Sequence, residues 1–157
     1  MTDVSFLTTW VLPAVFGVPL FAAVATFILG ARWASRLIGL LVPIVVFVIA
    51  VLLIVATADG SVVVAQIAGW PGGVSIAFVG DLFSALMLAA TSVMVFTCLV
   101  FAYSAGLGMD RWFIPSVSIM TAGVYGAFVT GDLFNLFVMV EVALLPSYVL
   151  MSRSGVL

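Results

Sequence analysis

The chain has 157 residues, of which 66% are hydrophobic and only 6% are charged, and its formal net charge is −2. Soluble domains carry about 25% charged residues, so this composition excludes an ordinary soluble domain and indicates a polytopic membrane protein. There is no basic patch of the kind that binds nucleic acid. The absence of histidine and the single cysteine argue against haem and most zinc or copper sites, so we expect no metal and no other cofactor.

Five apolar segments predict five transmembrane helices in a single membrane domain covering residues 1–157. The N-terminus has an acidic residue and no basic region, which favours a retained first helix over a signal peptide. The fold class predicted is an all-α membrane protein. Its spans cover about 6–29, 37–56, 81–103, 113–130 and 132–152.

Residues 61–80, between the second and third segments, have a different composition. They are rich in valine and glycine, and Trp70-Pro71-Gly72-Gly73 lies at their centre. Proline followed by glycine suits the two central positions of a type II turn, and Ile76 and Phe78 alternate with smaller residues. This pattern predicts a β-hairpin on the membrane surface, and an irregular loop is the alternative.

The charged residues segregate when the spans are counted from the N-terminus. The arginines follow spans one, three and five, most aspartates fall on the opposite side, and Asp110 is the exception. By the positive-inside rule, the arginine-bearing loops are cytoplasmic, and the N-terminus and the hairpin lie outside. The arginines on the cytoplasmic side are Arg32, Arg36, Arg111 and Arg153. The aspartates on the opposite side are Asp3, Asp59, Asp81 and Asp132.

The fifth segment, GDLFNLFVMVEVALLPSYVLMS, carries one carboxylate, Glu141, near its middle. An ionised side chain at that depth costs about 2.5–3.5 kcal/mol on insertion scales, a cost that a packing residue would avoid. We therefore interpret Glu141 as an intramembrane proton relay. No lysine or arginine falls within a span, so a cationic partner lies outside these residues or Glu141 is protonated for part of its cycle.

Four further residues are candidates for a role in ion movement. Tyr148 and Ser152 share the face of Glu141 on the cytoplasmic side, with Tyr148 about 10 Å away by helix rise, and could order water along a proton path. The alternative for Tyr148 is an interfacial anchor. Asp132 and Asp81 open the fifth and third segments, where they are candidates for ion entry or for helix capping.

Two stretches make the chain resemble a known family. VYGAFVTGDLFNLFVMVEVALLPSYVLM and AGWPGGVSIAFVGDLFSALM are similar to the fifth helix and to the hairpin and third helix of the D-type subunit of Mrp-type multisubunit Na+/H+ antiporters. The resemblance implies a proton-translocating transporter subunit that is not an enzyme, with Glu141 in proton transfer. It also implies partner antiporter subunits in the cytoplasmic membrane, where Na+ is exchanged for protons.

Members of that family are longer and carry a lysine, on a later broken helix, that pairs with the glutamate of helix five. The resemblance therefore predicts an N-terminal fragment, or one piece of a split subunit, that lies within the first of two inverted repeats. Two other functions stay open. One is a membrane-arm proton-pumping subunit of a complex I-like or hydrogenase-like respiratory complex, and the other is a non-transporting assembly scaffold.

Overall fold

Each long apolar segment forms a helix, because a helix satisfies its backbone hydrogen bonds within the segment. The structure, a computed structural model, describes residues 10–66, 76–106 and 110–154. Its five helices and two strands, in chain order, are α1 Leu12–Leu29, α2 Arg32–Thr57, β1 Val63–Gln66, β2 Ala77–Gly80, α3 Leu82–Ser104, α4 Phe113–Val129 and α5 Leu133–Ser154.

Four helices among the described residues are long and apolar enough to cross a membrane. They are α1, α2, α3 and the Leu133–Ser152 part of α5. The remaining helix, α4, has 17 residues and is about 26 Å long, against a hydrocarbon core of roughly 30 Å. The prediction of a mostly helical membrane fold is confirmed, and the fifth span stays a prediction.

The connection between α1 and α2 is shorter than the sequence suggested. Gly30 ends α1 in the left-handed conformation, with φ 59°, and α2 already begins at Arg32. The predicted second span began at about Leu37, whereas the helix begins five residues earlier and includes both Arg32 and Arg36. Arginine can continue an apolar helix because its long side chain carries the charge towards water.

The predicted hairpin strands are confirmed. β1 and β2 are antiparallel, with Val63 opposite Gly80 and Gln66 opposite Ala77. Burial alternates along both strands, so that one face of the sheet packs on the helices, while the other face is exposed on β1 and partly buried on β2. The predicted Trp70–Gly73 turn lies outside the described residues.

The main hydrophobic core lies where this sheet meets the helices. Tyr125 of α4 is the largest fully buried side chain, and Phe78 of β2 is part of the same cluster. The sheet therefore closes one end of the bundle. The cluster consists of Leu12, Val15, Val46, Ala50, Leu53, Val63, Ala65, Phe78, Ala85, Leu88, Tyr125 and Val129.

The helices pack as a chain of neighbours. α4 lies against α1 and α5, α1 also contacts α2, and α2 packs along α3. The α4–α5 contact is the most extensive, and Gly123 makes it close: a Cβ there would lie 2.6 Å from the Ala143 nitrogen and 2.6 Å from the Met139 carbonyl oxygen. Small residues allow such close contact between membrane helices.

Gly123→Ala is expected to destabilise the protein by about 1–3 kcal/mol, because the added methyl meets backbone atoms of α5 that cannot move aside independently. Gly17→Ala is the matched control, since the nearest atom to its added Cβ is 4.0 Å away in the Phe21 ring. It should be neutral or stabilise by up to about 1 kcal/mol. Reversible unfolding in detergent measures both, and equal stabilities for the two variants would contradict the close α4–α5 contact.

Candidate functional site

α5 has one face on α4 and another that the described chain leaves uncovered. The buried face carries Asn135, Met139 and Pro146. The opposite face consists almost entirely of exposed apolar residues, with Glu141 at its centre. Its exposed members include Phe134, Phe137, Val138, Leu144, Leu145 and Tyr148.

Glu141 is exposed on this face, eight residues into α5, which is about 12 Å from the helix start. It makes no hydrogen bond or ion pair with any residue that the structure describes. A carboxylate surrounded by apolar side chains at this depth is costly against lipid, since hydrocarbon offers it neither a hydrogen bond nor a counter-charge. The face is thus suited to contact with protein or water.

Tyr148 and Ser152 lie on the same side of α5 as Glu141, as their spacing predicts. Tyr148 is 56% exposed, and the Ser152 hydroxyl donates to the Val149 carbonyl at 3.0 Å within its own helix. The structure aligns the three residues without bringing their polar atoms into contact. The proton path past Tyr148 and Ser152 stays a prediction.

Asp81 and Asp132 both have the geometry of helix caps. The Asp81 carboxylate accepts a hydrogen bond from the Ser84 backbone N–H at 2.7 Å. The Asp132 carboxylate accepts from the backbone N–H groups of Phe134 and Asn135, each at 3.3 Å. These bonds satisfy donors that have no partner within the helix. Capping accounts for both aspartates, and their role in ion entry stays a prediction.

The turn between α4 and α5 is tied to the hairpin, a link that the sequence did not reveal. The Gly131 N–H donates to the Ala77 carbonyl at 2.8 Å, and Thr130 pairs with Phe78 of β2. Asn135, only 4% exposed, donates through Nδ2 to the Thr130 hydroxyl at 2.8 Å. Asn135 therefore fixes the turn that starts its own helix.

Charge is separated between the two ends of the bundle. Arg32, Arg36 and Arg111 surround one pocket of about 220 Å³, together with Asp110. Asp59, Asp81 and Asp132 lie at the other end, where the hairpin connects the helices. The predicted segregation is therefore present among the described side chains. Asp3 and the Arg153 side chain lie outside them.

The fold and site together define a multi-pass membrane protein with a carboxylate on an uncovered helix face. No group of three or more histidine, cysteine, aspartate or glutamate residues among those described could hold a metal ion. No protein-family model matches the chain.

Comparison with known proteins identifies its relatives. The chain is 34% identical to the D-type Na+/H+ antiporter subunit of Alkalihalophilus pseudofirmus, over 77% of this chain and 25% of that protein. Its fold matches a chain of the Mrp complex from Dietzia sp. DQ12-45-1b with a TM-score of 0.86 and 47% identity, over 96% of this chain and 28% of that one. The predicted resemblance is confirmed: the chain is similar to the D-type Mrp subunit and spans about a quarter of the length of the curated relatives it matches.

A second solved structure shares the fold. This is the membrane-bound sulfane sulfur reductase, an archaeal respiratory membrane complex, with a TM-score of 0.81 and 22% identity. The match covers 88% of this chain and 29% of that one. The same helix arrangement thus occurs in both kinds of membrane complex.

The Asp81 cap makes stability depend on pH in a predictable direction. Hydrogen bonds from the hydroxyl and the backbone N–H of Ser84 hold the pKa of Asp81 below its ordinary value. The cap's contribution is then fully present above the unfolded-state pKa of about 4, and is lost as the pH falls through the lower folded-state pKa.

We expect Asp81→Ala to cost about 1 kcal/mol at neutral pH, and this difference from wild type to shrink below about pH 4. Asp81→Asn is the matched control, because asparagine caps about as well and does not titrate. Unfolding in detergent at pH 7 and pH 3 measures these changes. A loss in Asp81→Ala that is the same at both pH values would contradict a role for the ionised cap.

Proposed function

We propose that this chain is part of a proton-translocating subunit of a multisubunit Na+/H+ antiporter, with Glu141 as its intramembrane proton relay. The relatives that support this are a D-type Na+/H+ antiporter subunit and a chain of an Mrp complex. Because the chain spans about a quarter of their length, we assign transport to an assembled complex of antiporter subunits and not to this chain alone.

The observation that carries the proposal is the position of Glu141 at mid-helix on the uncovered face of α5. In an assembled complex, protein that covers this face could bring a cation or ordered water to the carboxylate. The family resemblance implies a lysine in that place. A cation that approaches and withdraws would alternately favour the ionised and the protonated form, which is what a relay requires.

We further propose how the chain lies in the membrane. All five helices span it, the arginine-bearing end faces the cytoplasm, and the hairpin and the N-terminus face outside, in the cytoplasmic membrane. The separation of charge between the two bundle ends supports this orientation. The short α4 supports five spans, because it runs from the arginine end to the hairpin end and lies at the lower limit of spanning length.

Glu141→Gln is expected to reduce Na+-dependent proton flux by about 10²-fold or more, since the amide cannot take up and release a proton. Glu141→Asp should keep part of the flux. Asp59→Asn is the matched control, because it neutralises an exposed carboxylate in the loop after α2. Flux is measured with a pH-sensitive dye in vesicles that contain the assembled complex.

The same assay separates the proposal from its alternatives. Wild-type flux in Glu141→Gln would contradict the relay and leave the scaffold function. Proton flux that requires oxidation of NADH or ferredoxin, and does not require Na+, would favour a membrane-arm subunit of a respiratory complex. The fold shared with the sulfane sulfur reductase complex is consistent with that alternative. Unchanged flux in Tyr148→Phe would remove that hydroxyl from the proton path.

The orientation can be tested with a matched pair of serine variants. Ser61 lies near the hairpin and Ser104 at the opposite end of α3, and both are exposed. With Cys98 replaced by alanine, Ser61→Cys should react with a membrane-impermeant maleimide in intact cells, and Ser104→Cys only in inverted vesicles. The reverse labelling pattern would show that the orientation is opposite to the one proposed. Labelling of both cysteine variants from the same side would contradict an odd number of spans between residues 61 and 104.

A further inference from the structure

A long groove lies on the arginine-bearing half of the bundle, between α1, α4 and α5. Its volume is about 630 Å³, which is within the roughly 300–1,000 Å³ of small-molecule sites. α1 contributes Leu20, Val24 and Phe27, while α5 contributes Leu145 and Val149. Among the described residues that line it, only Ser116 and the indole of Trp112 carry polar side-chain atoms.

The groove ends at a positively charged rim. The rings of Phe27 and Trp112 lie 5.1 Å apart at this end. The guanidinium carbon of Arg111 lies 5.3 Å from the centre of the Phe27 ring, and its Nη2 donates to the Phe27 carbonyl at 3.4 Å. Phe27 thus contacts both the apolar groove and the Arg111 guanidinium.

Other charged residues continue this rim. Arg111 also lines the neighbouring pocket of about 220 Å³, where Arg32 and Arg36 join it and Asp110 is the one acidic residue among the described residues of the lining. Three arginines against one aspartate leave a formal excess of positive charge. Arg32 and Arg111 are both exposed.

The chemistry of the two regions fits one kind of molecule. A groove with so few polar groups disfavours ordered water, because a bound water needs two or more polar partners. On a membrane helix bundle, lipid acyl chains are apolar groups that can fill such a groove. Basic pockets between helices at the membrane surface bind anionic lipid headgroups.

We propose that the groove and its arginine rim bind an anionic phospholipid, with one acyl chain along α1, α4 and α5 and the phosphate beside Arg111. The lipid would fill the space between α1 and the C-terminal half of α5, where residues of both helices line the groove. Glu141 lies outside the residues that line this site, and Leu145 is a groove residue that also belongs to the uncovered face of α5.

The test uses the full chain in phosphatidylcholine nanodiscs that contain a small fraction of a lipid with a photoreactive acyl chain. That lipid is either phosphatidylglycerol or phosphatidylcholine, and the labelled peptides are identified by mass spectrometry. We expect labelling around Val24 and Leu145 to be about fivefold stronger with phosphatidylglycerol. The attraction between one arginine and an anionic lipid at the membrane surface raises the affinity by about that factor. Arg111→Gln should abolish that preference, and Arg111→Lys should keep most of it.

A second pair of variants tests the groove itself. Val24 is 53% exposed within the groove, and Val48 is 52% exposed on α2, outside the residues that line it. Val24→Trp should fill the groove and reduce labelling by both lipids, whereas Val48→Trp should leave it unchanged. Equal labelling by the two lipids, an unchanged preference in Arg111→Gln, or uniform labelling of every helix would overturn the proposal.

Discussion

The contact between α4 and α5 determines how the rest of the candidate site is arranged. Gly123 brings the backbones of the two helices together, and that contact fixes the rotation of α5 about its axis. With Met139 turned towards α4, the helical period of 3.6 residues turns Glu141 away from it. The orientation of the carboxylate is therefore a consequence of a glycine on another helix.

A second constraint fixes where α5 begins. The Gly131 N–H and Thr130 tie the α4–α5 turn to β2, and Asn135 closes the link from inside the first turn of α5. The sheet itself is held by Phe78 and Val63 in the main core. The height and rotation of the Glu141 helix thus depend on the hairpin and on α4, two elements that carry no candidate relay residue.

Much of this arrangement could be predicted from the sequence because membrane helices and strands leave strong local patterns. The apolar segments predicted the helices, and the turn signal at Trp70–Gly73 with its flanking alternation predicted the strands. The start of α2 was missed because a pair of arginines next to an apolar segment is typical of a loop. Arginine side chains can nevertheless extend to water from the end of a helix. The bond between Asn135 and Thr130 could not be predicted, because a buried amide has several partners within reach and tertiary packing selects one.

The two ends of the bundle are stabilised in different ways, which bears on what each can do. At the hairpin end, capping aspartates and a sheet close the structure over a dense core of fully buried side chains. At the arginine end, α1 and α5 leave the groove beside Phe27 between them. A lipid that fills the groove would stabilise this end, since its acyl chain would contact α1 and α5 at once where the groove separates them.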